Sequence, residues 1–519
     1  MILASTFATG VIALLVFYAL LVLFFVIKGA VKIKNISDYA VGNILFSPYA
    51  VGLSLAAAMT SAATFVINPG LIANFGISGV ISYGIVLPIA ATTSLVVLTK
   101  SFRKHGATVK ALSLAQWIGT RYNSRHYSFF MALLSMLLIT FIVLIVVAIV
   151  SVIATALNAD PVLVLTGLVV FVVGYMMYGG ANSMVYTNTL QALVMLVVGF
   201  ILLFSGMEHF TEGIGGFLRK LAAIDPALAK PVNPASPLFR DYYEIIFAQL
   251  VIGIAIVVQP HIITKSLLLK KESDVNKFLV TAVVVELIFF FVVFSGLYAR
   301  LAFPDLTFNG EPLRNDQIIP TYVVWLFSDT GLGVMVGLLV VLGLISAGMS
   351  TLEGLIQSVS SSITSDIVKP LVKKGTLNDK QLIFANKAAI VFLAIITWFI
   401  ARDQILNPNL SVAILAQNGV YAYFSAAFIP VIFGIFFKQI KTYIPLSATI
   451  TAIVVHFSVY YGLGLLVESW GISLGFFTKF VVGTVKNPAI AASTAIAIST
   501  LVALIMMGWE KLKTRNNSI

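Results

Sequence analysis

Apolar residues run through this chain in blocks of roughly 20, set apart by short polar stretches. A block of that length crosses about 30 Å of hydrocarbon as one helix. Thirteen such blocks lie near residues 8–28, 48–70, 78–99, 127–157, 162–178, 184–206, 243–263, 276–300, 331–362, 384–402, 411–437, 443–466 and 487–509. They lack the alternation of membrane barrel strands, and helices and closed barrels are the only folds that satisfy a backbone in lipid. The pattern predicts an all-α polytopic membrane protein with about 13 spans.

An odd count places the termini on opposite sides of the membrane, and loop cations choose which. Lys28, Lys32 and Lys34 follow the first block; Lys100, Lys110, Arg121 and Arg125 lie between the third and fourth. Lys265, Lys270, Lys271 and Lys277 follow the seventh block, and Lys369, Lys373, Lys374 and Lys380 the ninth. All fall on one side under the count of 13, which predicts the N-terminus outside and the C-terminus in the cytoplasm of a multi-pass cell-membrane protein. The first block has no basic leader and no small-residue cleavage site, so a retained helix is expected rather than a signal peptide.

Composition agrees with this picture: of 519 residues, 60% are hydrophobic and only 10% charged, against about a quarter charged in soluble domains. The net charge of +12 comes from loop cations beside the spans and is not a nucleic-acid signature. There are no cysteines, which excludes disulfides, iron–sulfur clusters and thiol chemistry. No glycine loop for nucleotide phosphates is present, which argues against ATP-driven work in this chain. No dense cluster of His, Asp and Glu argues for an integral membrane enzyme.

Two spans are not plain apolar rods. The second reads Gly52-Leu53-Ser54-Leu55-Ala56-Ala57-Ala58-Met59-Thr60-Ser61-Ala62-Ala63-Thr64 and ends at Asn68-Pro69-Gly70; the seventh ends at Gln259-Pro260-His261. Discontinuous helices expose carbonyls and amides near the bilayer midplane, where they coordinate ions and anionic groups; close packing through small residues is the plainer reading. The ninth span carries Ser346-Ala347-Gly348-Met349-Ser350-Thr351, followed by Glu353. Its hydroxyls and the Ala347 carbonyl are hard oxygen donors of the kind sodium takes, although serines in such helices also bond back to their own backbone.

With both clusters in view, the chain resembles the sodium:solute symporter family, in its proline, pantothenate and monocarboxylate branch. Asp38-Tyr39, Ser54 to Phe65 with Pro69-Gly70, and Leu112 to Tyr122 resemble the family's early motifs. Gly179-Gly180 through Tyr186-Thr187-Asn188 and Gln191 resembles that of the fifth core helix. Gln259-Pro260-His261 resembles that of the sixth, and Ala347 to Thr351 with Asp366 that of the eighth.

The resemblance implies a leucine-transporter-like core of two inverted five-helix repeats. Residues 1–34 would then form a leading helix, 35–440 the core (repeats near 45–206 and 243–437), and 441–519 two trailing helices with a short tail. It also implies a sodium site made of the carbonyls of Ala57, Thr60 and Ala347 and the hydroxyls of Ser350 and Thr351. Sodium is the expected coupling ion, and a small-molecule solute and the lipid bilayer are the expected partners.

Asn188 stands where the family usually carries Asp, which keeps an oxygen but loses a negative charge. Glu353, one turn beyond Ser350, sits where an ionised carboxylate costs a few kcal/mol unless partnered. Glu353 is therefore a candidate coupling group, as a cation ligand or a proton carrier, with a hydrated structural carboxylate as the alternative. Glu286 is a weaker candidate of the same kind, and His261 is expected to be structural.

For the solute, Ser61, Thr64, Gln249, Gln259, Gln417, Asn418 and Tyr421 are the candidate lining residues, with helix–helix hydrogen bonding as the alternative for Gln417 and Asn418. Ile252 and Ile256 stand where the proline branch carries aromatic residues, and Thr64 where the sugar branch carries glutamine. A small organic anion or amino acid remains, with a monocarboxylate ahead. Backbone amides at a helix break can hold such an anion. Proton coupling through Glu353 and a solute-binding membrane sensor stand as alternatives.

Overall fold

A computed structural model describes residues 2–31, 35–40, 46–106, 111, 113–269, 271–328, 331–372, 377–407 and 411–516. Lys32, Lys34, Lys110, Leu112, Lys270, Lys373 and Lys374 lie outside them. Among the described residues, ten helices are long and apolar enough to cross a membrane, and two bent pairs raise the number to 12.

The spans are α1 (Thr6–Ala30), α2 in halves Pro48–Met59 and Ala63–Phe75, α3 (Ile77–Phe102) and α4 (Arg125–Leu157). Residues 161–204 follow as one 44-residue helix, about 66 Å long at 1.5 Å per residue, roughly twice the hydrocarbon thickness. It is divided by Gly180, whose φ of 61° and ψ of −176° are not helical and suit only a residue without a Cβ. We number its arms α5 (161–179) and α6 (181–204), which brings the spanning segments to 13, divided where the hydropathy pattern divides them.

The second half of the molecule comprises α7 in halves Tyr243–Val258 and Pro260–Ser266, α8 (Glu272–Ala302), α9 (Gly331–Leu371), α10 (Asp379–Leu406), α11 (Val412–Phe436), α12 (Tyr443–Trp470) and α13 (Pro488–Lys513).

Helix starts follow local chemistry. Ser47 caps α2 by accepting from the Ala50 amide at 3.2 Å, with Pro48 at the first helical position. Asp160 caps α5 in the same way with Pro161 behind it, and Asn378 with Gln381 closes a capping box on α10. Between α8 and α9, Thr307–Phe308 and Glu311–Pro312 pair antiparallel, Phe308 opposite Glu311. The turn is Asn309-Gly310, both at positive φ, as a tight hairpin demands. A short apolar helix, Ile318–Phe327, follows it, and Gly213–Ile224, which carries Arg219 and Lys220, forms a short helix in the segment before α7. The hydropathy pattern left both stretches as loop.

The bends are 54° in α2 and 60° in α7. Each opens a run of five spans, α2–α6 and α7–α11, so the broken helices hold equivalent places in the two runs. The interruption of α2 falls at Thr60 to Ala62, not at Asn68-Pro69-Gly70. Thr60 has left the helix with φ −97° and ψ 99°, and Ser61 Oγ accepts from the Ala63 amide at 3.1 Å, offering the backbone a local alternative to the helix. Pro69 is instead carried within the second half, just after a π-helical stretch, Ala63–Ile67, whose wider hydrogen-bond spacing accommodates a residue with no amide proton.

Around these breaks, α9 packs against α2, α4, the α5–α6 pair and α10. Gly348 lets α4 and α9 touch, because a Cβ there would lie 2.3 Å from Ile149 Cγ1. Gly348→Ala is expected to cost about 1–3 kcal/mol from overpacking, with most of the loss recovered by Ile149→Ala. Thermal unfolding of the purified protein in detergent checks this; equal melting points for wild type and Gly348→Ala would refute the close contact.

Candidate functional site

In the last turn of the first half of α2, the carbonyls have lost their next-turn donors to the break. The Thr60 amide takes up the Ala56 carbonyl at 3.0 Å. Those of Ala57 and Ala58 turn to α9. Ser350 Oγ donates to the Ala57 carbonyl at 2.7 Å and is 3.2 Å from that of Ala347. Thr351 Oγ1 donates to Ala58 at 3.1 Å and lies 3.5 Å from Ala57. Ala57, Ala347 and Ser350 are fully buried and Thr351 nearly so.

Thr60 lies at the break beside them, with its hydroxyl buried and without a protein partner. An oxygen-only cluster with an unpaired buried hydroxyl suits a hard monovalent cation better than an ion that takes nitrogen or sulfur. Among the described residues, no group of three or more His, Asp or Glu gathers to hold a metal of that other kind.

One turn along the same two helices lies a second polar group. Glu353 on α9 accepts from Tyr175 Oη through Oε1 at 2.7 Å and from Thr187 Oγ1 through Oε2 at 2.7 Å. Asn188 on α6 sits next to it, oriented by its neighbours. The donors and acceptors around it assign its amide orientation: with the nitrogen turned to Glu353 Oε2 at 3.3 Å and Gln191 Oε1 at 3.1 Å, the oxygen accepts from Lys265 Nζ at 3.1 Å, whereas the exchanged orientation would set donor against donor. Gln191 Nε2 in turn donates to Tyr18 Oη on α1 at 2.6 Å. Lys265 Nζ also donates to Ser54 Oγ at 2.7 Å and to the Ser54 carbonyl at 3.0 Å.

Lys265 corrects the sequence reading, which placed it among the loop cations. It is only 6% exposed, because the 60° bend at Gln259-Pro260 turns the second half of α7 back against α2 and α9. A buried Glu and a polar face on α6 signalled the network; nothing local distinguished Lys265 from the cations after it.

The candidate solute residues divide. Ser61 and Thr64 are buried at the α2 break, and Gln249 and Gln259 are buried on α7. Gln259 caps the second half of α7 in an extended conformation, φ −60° and ψ 136°. Gln259 Oε1 and Gln249 Nε2 are buried without protein partners, as groups awaiting a ligand or water would be. Gln417 donates to Tyr83 Oη on α3 at 3.1 Å.

Asn418 turns away from the breaks to α12, donating to Tyr461 Oη at 2.8 Å and pairing with His456 Nε2 at 3.0 Å. That geometry matches the helix–helix alternative. Tyr421, one turn on, packs its ring against Phe424 with centroids 5.7 Å apart. Of the other titratable candidates, His261 is buried beside Gly354 on α9. Glu286 is fully buried on α8 with no protein donor for either oxygen.

Asp366, near the end of α9, gathers hydroxyls from three places: Ser113 and Ser365 on Oδ2 at 2.5 and 2.7 Å, and Ser128 of α4 on Oδ1 at 2.7 Å. Ser113 also caps the helix Leu114–Arg121. The loop motif read from the sequence is thereby tied to the end of the cation-cluster helix.

A sequence model of the "Sodium:solute symporter family" matches residues 39–452, a stretch that holds both broken helices and, Tyr18 apart, both polar clusters. The chain belongs to the sodium:solute symporter family. It is accordingly a transporter and not an enzyme, a sodium-coupled symporter built into the membrane.

Two bacterial relatives carry the name sodium/pantothenate symporter. The one from Haemophilus influenzae is 25% identical over 86% of this chain and 87% of its own length. The one from Escherichia coli is 25% identical over 80% and 82%. The human sodium/myo-inositol cotransporter 2 is 25% identical over 75% of this chain and 60% of its own. A solved substrate-bound, outward-open state of a Na+-coupled sialic acid symporter superposes with a TM-score of 0.74, covering 96% of this chain and 97% of that one at 18% identity. That likeness fixes the fold as the leucine-transporter-like type.

Proposed function

We propose that this symporter takes up a small organic anion, a monocarboxylate before an amino acid, together with sodium held by Ala57, Thr60, Ala347, Ser350 and Thr351. The observation that carries the reading is the meeting of Ser350 and Thr351 hydroxyls with the Ala57 and Ala58 carbonyls at the α2 break. A sodium ion would take these oxygens over from one another, holding α2 and α9 together. Cation binding then favours the outward-open state, solute binds between the α2 and α7 breaks, and inward opening separates the cluster and releases both.

Ser61, Thr64, Gln249 and Gln259 are the solute residues this reading retains, with Gln417 and Tyr421 at the margin; the α12 partners of Asn418 favour the helix-packing alternative for it. Backbone amides at the two breaks supply anion contacts without Arg or Lys. The absence of aromatics at Ile252 and Ile256 and the two relatives named for pantothenate, itself a carboxylate, support an anionic solute. Loop cations support an outside N-terminus and a cytoplasmic C-terminus.

The solute is found by thermal shift in sodium and in choline buffer with carboxylates, amino acids and polyols. A carboxylate that raises the melting point in sodium and loses that effect in Gln259→Ala is expected. Stabilisation by polyols alone would overturn the anion assignment.

A further inference from the structure

Lys265 presents a chemical problem that sodium symport does not use. Its ammonium has three protons, and three oxygens take them: Ser54 Oγ, the Ser54 carbonyl and Asn188 Oδ1, at 2.7, 3.0 and 3.1 Å. None of these acceptors is charged. They come from α2 and α6 and are all buried. A hydroxyl, a peptide carbonyl and an amide oxygen around a single positive charge make the kind of lining a free alkali cation takes.

The place is also related to the sodium cluster by sequence register. Ser54 precedes Ala57 by three residues on α2, and Glu353 follows Ser350 by three on α9, so the two polar groups stack one helical turn apart on the same pair of helices. The charges balance internally. The Asn188 carboxamide points its oxygen to the ammonium and its nitrogen to the Glu353 carboxylate, so it bridges one positive and one negative group without adding charge. If a carboxylate stood at 188, or a neutral side chain at 265, the group would carry one uncompensated negative charge in a buried place, where solvent cannot supply the counter-charge.

We infer that the Lys265 ammonium is a tethered cation filling a second, latent sodium-type site lined by Ser54 and Asn188, with Glu353 as its counter-charge on the far side of the Asn188 amide, next to the site that loads the mobile ion. The inference rests on the sodium site proposed above. Its consequence is stoichiometric: this chain binds one sodium ion fewer than its buried oxygens would otherwise hold, and the Lys265 charge travels with α7 during the cycle without being transported.

Equilibrium binding of radioactive sodium to the purified, full-length protein tests it, at pH 6 and at pH 9 so that proton capture by the freed carboxylate is seen as a difference between them. Lys265→Met is expected to bind about one more sodium ion per molecule than wild type at pH 9. Lys265→Met/Glu353→Gln is expected to return to the wild-type number. Asn188→Asp, which keeps the ammonium in place and gives it a charged acceptor, is expected to stay at the wild-type number, and Lys265→Gln stands as the test if Lys265→Met does not fold.

An unchanged sodium count at both pH values in a folded variant that lacks only the Lys265 ammonium overturns the tethered cation while leaving the Ser350–Thr351 site intact. Loss of binding in Ser350→Ala shows that the primary site is the one counted. Wild-type protein that binds no sodium would instead overturn the site proposed under the preceding heading.

Discussion

Replacing Ser350 with alanine is expected to weaken sodium activation of uptake by roughly tenfold to a hundredfold, with a smaller effect on the maximal rate. Ser350 Oγ lies between the Ala57 and Ala347 carbonyls, and a bound cation would take its oxygen as a ligand. A hydrogen bond or ligand contact to a charged group is worth about 1.5–3 kcal/mol, and each 1.4 kcal/mol is a factor of ten in binding. Thr351→Ala acts on the neighbouring carbonyl of Ala58 and is expected to fall in the same range. Thr351→Ser, which keeps the hydroxyl, should stay near wild type. The measurement is the sodium concentration giving half-maximal uptake; an unchanged value in both alanine variants would remove these residues from the site.

Glu353→Gln is expected to be the most destabilising single change in the transport core. It leaves the buried Lys265 without a counter-charge, and breaking a buried pair in this way typically costs about 3–5 kcal/mol. The glutamine amide keeps one acceptor oxygen where the carboxylate offers one each to Tyr175 and Thr187, so the loss combines the stranded charge with one buried hydrogen bond. Lys265→Met alone should destabilise comparably, whereas Lys265→Met/Glu353→Gln should cost less than the sum of the two, because neither charge is left stranded. Unfolding midpoints of the three variants in the same detergent decide it. Strictly additive losses would show that the groups do not feel each other through Asn188.

The sequence carried the parts of this architecture whose physics is local. Span positions follow from apolar length, and both broken helices were visible as small and polar residues inside otherwise apolar blocks. Ser350, Thr351 and Glu353 were conspicuous because hydroxyls and a carboxylate in a span need partners. Where an element turns was less accessible. The α2 break sits at Thr60 to Ala62, where the side chain of Ser61 competes for the backbone, while Pro69, the stronger breaker on paper, is absorbed within the helix.

Lys265 was hidden for a related reason. A lysine just past an apolar block reads as a topology charge, and only the 60° bend of α7 brings it back to Ser54 and Asn188. Asn418 shows the same limit in rotation: its polarity was legible, but its face of α11 meets His456 and Tyr461, and that depends on where α12 packs.

The central claim, sodium-driven symport through the α2–α9 cluster, is tested most directly by tracer uptake of a carboxylate panel into proteoliposomes under an imposed sodium gradient or an imposed proton gradient. Uptake that follows the sodium gradient, persists when the proton gradient is collapsed and falls in Ser350→Ala is the predicted result. Uptake driven by the proton gradient alone, indifferent to sodium and to Ser350→Ala but abolished in Glu353→Gln, would contradict it and move the coupling to Glu353.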